Sequence, residues 1–120
     1  MQKINILLRI PANRNEKELL SNFGFILREI RFGIGFQSID SFTKANGLSF
    51  SVYSRWESGE NMNVLSIMRL CTIYKASPSD LMDLWYTYND QKQKLLYKKK
   101  MKTLVERAQP MLLPINTCAI

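Results

Sequence analysis

The sequence predicts an all-α protein, in which five helices form one domain and a further helix extends from its C-terminal end. Apolar residues recur at steps of three and four along most of the chain. Serines stand where helices would begin, and glycines stand where they would end. Only the apolar run from Ile4 to Ile10 resembles a strand, and Pro11 would stop it. With 120 residues, 46% of them hydrophobic, the chain can bury the core of one domain.

The first three helices are predicted from apolar spacing and from their end signals. Helix one is expected over residues 17 to 34, where Gly33 and Gly35 end a run of apolar residues at helical steps. The run consists of Leu19, Phe23, Ile26, Ile30 and Ile34. Helix two should be capped by Ser38, run through Ile39, Phe42 and Ala45, and end at a left-handed Gly47. Helix three should be capped by Ser49, run to Glu57 and end at Gly59.

Two more helices complete the predicted domain. The fourth carries its apolar residues at Val64, Ile67, Cys71 and Tyr74. The fifth should begin after Ser77, because Pro78 suits the first helical position and Asp80 suits the first turn. Its apolar residues are Leu81, Leu84, Trp85 and Tyr88.

The C-terminal extension, residues 90–120, holds most of the positive charge. Residues 91 to 120 contain seven basic side chains and one acidic one, whereas residues 1 to 90 contain ten and nine. A helix up to Pro110 is expected, with an apolar stripe made of Tyr97, Met101, Leu104 and Ala108. That helix could pack back on the domain, form a dimer contact or attract the DNA backbone; a position on an anionic membrane is the least favoured use. Residues 109 to 120 should form an irregular arm over a groove on this chain or a neighbour.

Composition argues against an enzyme and against a metal or cofactor site. The chain has no histidine, and its two cysteines, Cys71 and Cys118, lie far apart, so zinc-finger and Cys-His or Ser-His catalytic arrangements are excluded. It also has no glycine-rich phosphate loop. Cys71 is expected to be a core residue. Since the apolar run near the N-terminus is too short and too polar for a signal peptide or a membrane span, a cytoplasmic protein without a membrane partner is expected.

The third helix is the most informative segment. At about 100° per residue, Val52, Tyr53 and Trp56 fall on one face, which should be core. The opposite face is formed by Ser51, Ser54, Arg55 and Ser58, with Phe50 at its N-terminal edge. These serines could simply be solvated. Serine is a mediocre helix former, however, and small polar side chains beside one arginine suit a helix that lies deep in a DNA major groove.

Residues 21 to 86 resemble the Cro/CI-type (XRE-like, lambda-repressor-like) helix-turn-helix repressor family. The family pattern is an apolar-rich first helix, then "A-x-x-x-G-h-S" and "S-R-h-E-x-G", with h apolar. The matching positions are Phe42, Thr43, Gly47, Leu48, Ser49, Tyr53, Ser54, Arg55, Trp56, Glu57 and Gly59. The segment "SIMRLCTIYKASPSDLM" is similar to the closing part of the family pattern. With the predicted first and fifth helices counted in full, the helix-turn-helix domain is expected over residues 17–89, preceded by an N-terminal arm, residues 1–16.

The resemblance also implies a function and the residues that perform it. The protein would be a transcription regulator, most simply a repressor, that binds double-stranded DNA as a homodimer. The third helix would be the recognition helix, with Phe50, Ser51, Ser54 and Arg55 reading base edges. Ser38, Ile39, Ser58, Asn61 and Asn63 would contact the DNA backbone. Arg31 and Glu57 would form a partly buried ion pair between helix one and the end of helix three, so their role is structural.

Departures from the family pattern keep a second function open. Ile39 stands where the family has glutamine, one extra residue separates Gly35 from Ser38, and Glu60 follows the glycine that ends helix three. Residues 21 to 86 carry six basic and six acidic side chains, so a monomer should attract phosphates weakly. The alternative is a protein-interaction module, such as an antitoxin or adaptor version of the same fold, with a protein partner bound through the C-terminal extension.

Overall fold

A computed structural model describes residues 12 to 108, except the side chains of residues 12–15 and 91, and all the regular structure in this part of the chain is helical. The predicted strand and the tail from 109 to 120 lie outside the described residues. The six α-helices are α1 (Ala12–Gly33), α2 (Ile39–Asn46), α3 (Phe50–Glu57), α4 (Val64–Tyr74), α5 (Pro78–Asn89) and α6 (Lys94–Ala108), with a short 3₁₀ turn (Gln91–Gln93) before α6. The predicted all-α class is therefore confirmed.

Local signals define the helix ends. The side-chain oxygens of Ser38, Ser49 and Ser77 each accept a hydrogen bond from a backbone N–H in the first turn of the helix that follows. Gly47 has a φ of 67°, the left-handed conformation expected at the end of α2. α1 differs from the prediction because it begins at Ala12, so residues 12 to 16, assigned to the N-terminal arm, are helical.

The core is built around α1, which packs against α3, α5 and α6. α2 packs on α3, and α4 packs on α5 and α6. Each of the six helices contributes buried side chains to a single apolar cluster. Its members from α1 are Phe23, Ile26, Leu27 and Ile30, and Ile34 follows directly after that helix. Those from α2 to α5 are Phe42, Tyr53, Trp56, Leu70, Cys71, Tyr74, Leu81 and Leu84. Cys71 is therefore a core residue, as predicted.

The C-terminal helix α6 packs against its own domain, on α1, α4 and α5. Tyr97, Leu104 and Ala108 are buried in the core. A Cβ atom on Gly33 of α1 would lie 2.7 Å from a methyl group of Val105, so this glycine allows α6 to approach closely. Of the four uses considered for the extension, packing on the domain is the one observed. The apolar stripe of α6 is consequently not open to a membrane or to a second chain. A dimer contact through that stripe, one of the uses considered, is therefore not available.

Candidate nucleic-acid interface

The α2–turn–α3 unit holds α3 with one face in the core and one face in solvent. Tyr53 is fully buried and Trp56 is 9% exposed, and their rings pack edge to face with centroids 6.0 Å apart. Phe42 of α2 packs on Tyr53 at 4.9 Å. These aromatic contacts fix the rotation of α3 about its axis, which determines the side chains that point outward.

The outer face of α3 contains the residues expected to read bases. Phe50 is 51% exposed, and Ser51, Arg55 and Ser58 are also exposed, whereas Ser54 is half-buried. The Ser58 hydroxyl donates a hydrogen bond of 2.8 Å to the carbonyl of Arg55. Small side chains therefore cover most of this face, and Arg55 is its long, charged member.

Arg55 has a carboxylate beside it, which sequence reasoning did not anticipate. Its Nε lies 3.6 Å from Oε1 of Glu60, and both side chains are more than half exposed. The backbone turn that ends α3, with Gly59 at a φ of 103°, brings Glu60 back toward Arg55. Because an exposed ion pair contributes little free energy, Arg55 can exchange this partner for another acceptor at small cost.

The residues expected to contact a DNA backbone lie in two places. Ser38 caps α2, and Ile39, half-buried, is the first residue of that helix. Asn61 and Asn63 are exposed in the connection after α3. Asn63 also caps α4, because its Oδ1 accepts a hydrogen bond of 2.8 Å from the Ser66 N–H. That capping role was not predicted.

An acidic side chain also lies at the start of α2, where a phosphate would have to approach. Asp40 is in the first turn, and its Oδ2 lies 3.1 Å from Nζ of Lys44, one turn later. Lys44 offsets part of the repulsion that Asp40 would exert on a phosphate. The start of α2 thus lacks the excess positive charge that strong phosphate attraction requires.

The Arg31–Glu57 ion pair expected from the resemblance is present and buried, with exposures of 4% and 7%. Arg31 Nε donates to Glu57 Oε2 at 2.7 Å, and a second guanidinium nitrogen donates to Oε1 at 3.2 Å. The third nitrogen donates to the carbonyl of Phe36 at 3.0 Å. The pair therefore joins α1, the turn before α2 and the end of α3. The hydrogen bond to Glu57 raises the pKa of Arg31, so this side chain stays charged.

Two tyrosines near this pair are held neutral. Burial is the main cause that raises the pKa of Tyr53, and the neighbouring Tyr74 and Glu57 raise it further. Burial likewise raises the pKa of Tyr74. Within the described residues neither hydroxyl has a hydrogen-bond partner. These groups are consequently core residues without a role on the outer face of α3.

Gly24 of α1 is a positioning residue that sequence reasoning missed. A Cβ atom there would lie 2.3 Å from the carbonyl oxygen of Glu57 and 2.8 Å from that of Trp56. The end of α3 therefore rests directly on the backbone of α1. A glycine inside an otherwise regular apolar repeat was the available signal, since such a glycine often marks close packing.

Neither a metal centre nor a membrane-spanning helix is found in the described part of the chain. Residues 12 to 108 contain no group of three or more histidine, cysteine or acidic side chains that could hold a metal ion. None of the helices over the same range has the length and apolar character needed to cross a membrane. Comparison of the chain with protein-family models, with curated proteins and with solved structures gives no match.

Proposed function

We propose that this protein is a sequence-specific DNA-binding transcription regulator, acting as a repressor, that inserts α3 into the major groove. The observation that carries the proposal is the division of α3 into a buried aromatic face and an outer face of small polar side chains with one arginine. A helix whose outward-facing side chains are mostly small can approach base edges closely. The two-helix unit with Gly47 in its turn supports the same function.

Each exposed side chain of α3 has a chemical use in this proposal. Arg55 can donate two hydrogen bonds to O6 and N7 of guanine, after leaving Glu60. Phe50, which is half-exposed, can contact a thymine methyl group. The hydroxyl groups of Ser51 and Ser54 can contact either kind of base edge. Backbone contacts from Ser38, Ile39, Ser58, Asn61 and Asn63 would set the register.

The proposal includes binding as a homodimer. Residues 21 to 86 have a net charge of zero, so one copy gains little non-specific attraction to phosphates. Two copies held about 34 Å apart, one turn of DNA, would read two half-sites at once. The apolar stripe of α6 is buried in its own domain, so the dimer contact would have to use other surfaces.

A second candidate function is a protein-interaction module of the same fold. The observation favouring it is an exposed apolar patch on α4, where Val64, Leu65 and Met68 are 74%, 79% and 47% exposed. Apolar side chains that cluster in solvent mark surfaces that bind other proteins. The neutral charge of residues 21 to 86 also favours this candidate.

Selection of bound sites from a random DNA library, at a stated salt concentration, tests the two candidates against each other. A regulator of the proposed kind would enrich a two-fold symmetric motif with half-sites about one turn apart. The Arg55→Ala variant, used as a control, should lose the preference at one position of each half-site. A library without any enrichment would contradict the proposal and favour the interaction module.

A further inference from the structure

The outer side of α6 carries a row of exposed lysines. Lys94, Lys98 and Lys102 follow one another at intervals of four residues, and Lys99 lies beside them. All four are exposed, whereas Tyr97 and Leu104 on the other side of the helix are buried in the core. These four residues form the lysine face of α6. Because the core anchors α6, the lysine face is held on a rigid support.

No ion pair joins the lysine face to a carboxylate in the described part of the chain, although Asp90 and Glu106 lie one helical turn before Lys94 and after Lys102. The other two basic side chains of α6 are paired, since Lys100 contacts Asp83 and Arg107 lies 3.1 Å from Asp80. Within residues 12 to 108, no carboxylate oxygen lies within 4.0 Å of an ammonium group of the lysine face. Glu106 is the one acidic residue of α6. The excess positive charge of the folded domain is therefore concentrated on one side of this helix.

We propose that the lysine face binds the phosphate backbone of double-stranded nucleic acid without reading its sequence. At a rise of about 1.5 Å per residue, the row from Lys94 to Lys102 extends about 12 Å. One DNA strand has a phosphate about every 3.4 Å along the helix axis but also winds around that axis, so a straight row of this length meets about two to three of its phosphates. A straight row of three lysines with a fourth beside them matches such a strand in length and in number of charges.

The burial of the apolar stripe favours a nucleic acid over a lipid surface. An amphipathic helix that lies on a membrane inserts its apolar face between lipids. In α6 that face is occupied by the core, and Leu95 and Leu96 are the large apolar side chains that remain exposed. What α6 presents to solvent is chiefly positive charge, which is the property that phosphate binding requires.

This surface is distinct from the outer face of α3. α3 packs on α1 and α2, whereas α6 packs on α1, α4 and α5. The inference does not depend on base reading by α3, because phosphate attraction operates on any sequence. The lysine face would contribute most of the salt-dependent affinity that residues 21 to 86, with no net charge, lack.

The test uses a mixed-sequence 30-base-pair duplex and the full-length chain over a series of salt concentrations. The triple variant Lys94→Gln, Lys98→Gln, Lys102→Gln removes the row, and glutamine preserves helix propensity. A matched control, Lys17→Gln, Arg69→Gln, Lys75→Gln, removes three exposed charges from α1, α4 and the end of α4. A third variant replaces the row with arginines and so retains its charge. Circular dichroism verifies the fold of each variant.

For the triple glutamine variant, the slope of log affinity against log salt concentration should become shallower by about 2 to 3. Each phosphate contact contributes about 0.9 to that slope, and the variant removes three lysines. The matched control and the variant with arginines in place of the three lysines should both keep the slope of the original protein. An equal change in the triple glutamine variant and the matched control would overturn the proposal, because net charge alone would then explain the binding. An unchanged slope in the triple glutamine variant would also overturn it. So would a triple glutamine variant that binds the duplex like the original protein but no longer binds vesicles of phosphatidylserine and phosphatidylcholine. Arg55→Ala should leave this slope nearly unchanged, so a failure of base reading is measured separately.

Discussion

Breaking the Arg31–Glu57 pair should destabilise the protein far more than breaking an exposed ion pair. The variants are Glu57→Gln, which retains the size of the side chain, and Arg31→Met, which retains much of its length without its charge. The exposed pair Asp40–Lys44, at 57% and 76% side-chain exposure, provides the matched control through Asp40→Asn and Lys44→Met.

The expected magnitude follows from burial and from the number of hydrogen bonds. Arg31 and Glu57 are 4% and 7% exposed, and two hydrogen bonds of 2.7 and 3.2 Å join them. Removal of Glu57 leaves the Arg31 charge buried without its counter-ion, which costs about 3 to 5 kcal/mol. After removal of Arg31, Glu57 still has Nε of the half-exposed Arg28 at 4.0 Å, so this loss should lie toward the lower end of that range. The control pair is exposed, so its loss should cost below about 1 kcal/mol. Since a small domain is stable by about 5 to 15 kcal/mol, the first loss is a large fraction of the total.

Urea unfolding followed by circular dichroism measures these losses, and a double-mutant cycle isolates the coupling between the two side chains. The double variant Arg31→Met, Glu57→Met should recover part of the stability, because neither charge is then left alone. A coupling below about 0.5 kcal/mol would refute the reasoning, as that is the range of independent sites. Single losses no larger than those of the exposed control would refute it too.

Three substitutions and one truncation test separate parts of the structure. Gly24→Ala should cost about 3 kcal/mol in urea unfolding, because its Cβ would overlap carbonyls at the end of α3; Gly47→Ala, where nothing lies within 4 Å but φ is 67°, should cost only about 1 to 2 kcal/mol. A chain ending at Asn89 should lose its cooperative melting transition, because it lacks buried side chains such as Leu104; a sharp transition in that chain would show that α6 is dispensable for folding. Arg55→Ala should weaken binding to a selected DNA site by about 1 to 3 kcal/mol, measured by titration, without changing the melting temperature. Unchanged affinity would remove Arg55 from base reading.

The helix ends could be predicted because their signals are local. Ser38, Ser49 and Ser77 each satisfy backbone N–H groups within three residues, and Gly47 adopts a conformation that its own lack of a side chain permits. Such interactions depend on the nearest residues and can be recognised in a single sequence. The start of α1 was missed for a related reason, since residues 12 to 16 contain one apolar residue and so show no periodic pattern.

The interactions between helices were harder to predict, because they depend on residues far apart in the chain. The approach of Val105 to Gly33 joins positions separated by most of the domain, and no spacing rule indicates it. The same holds for the rest of the α6 stripe, whose periodicity predicted a helix without indicating what covers it. On the candidate site, the division of α3 into two faces was predicted, whereas the contact between Arg55 and Glu60 depends on the backbone turn at Gly59.

The burial of α6 determines how the role of its lysines can be studied. A truncation that removes α6 removes Tyr97, Leu104 and Ala108 from the core together with the lysine face. Loss of DNA binding in such a chain would therefore report unfolding as much as lost charge. Substitutions confined to exposed lysines avoid this ambiguity, because surface changes of this kind usually alter stability by less than about 0.5 kcal/mol. Only variants that retain the buried side of α6 while altering its outer side can separate the contribution of α6 to folding from its contribution to binding.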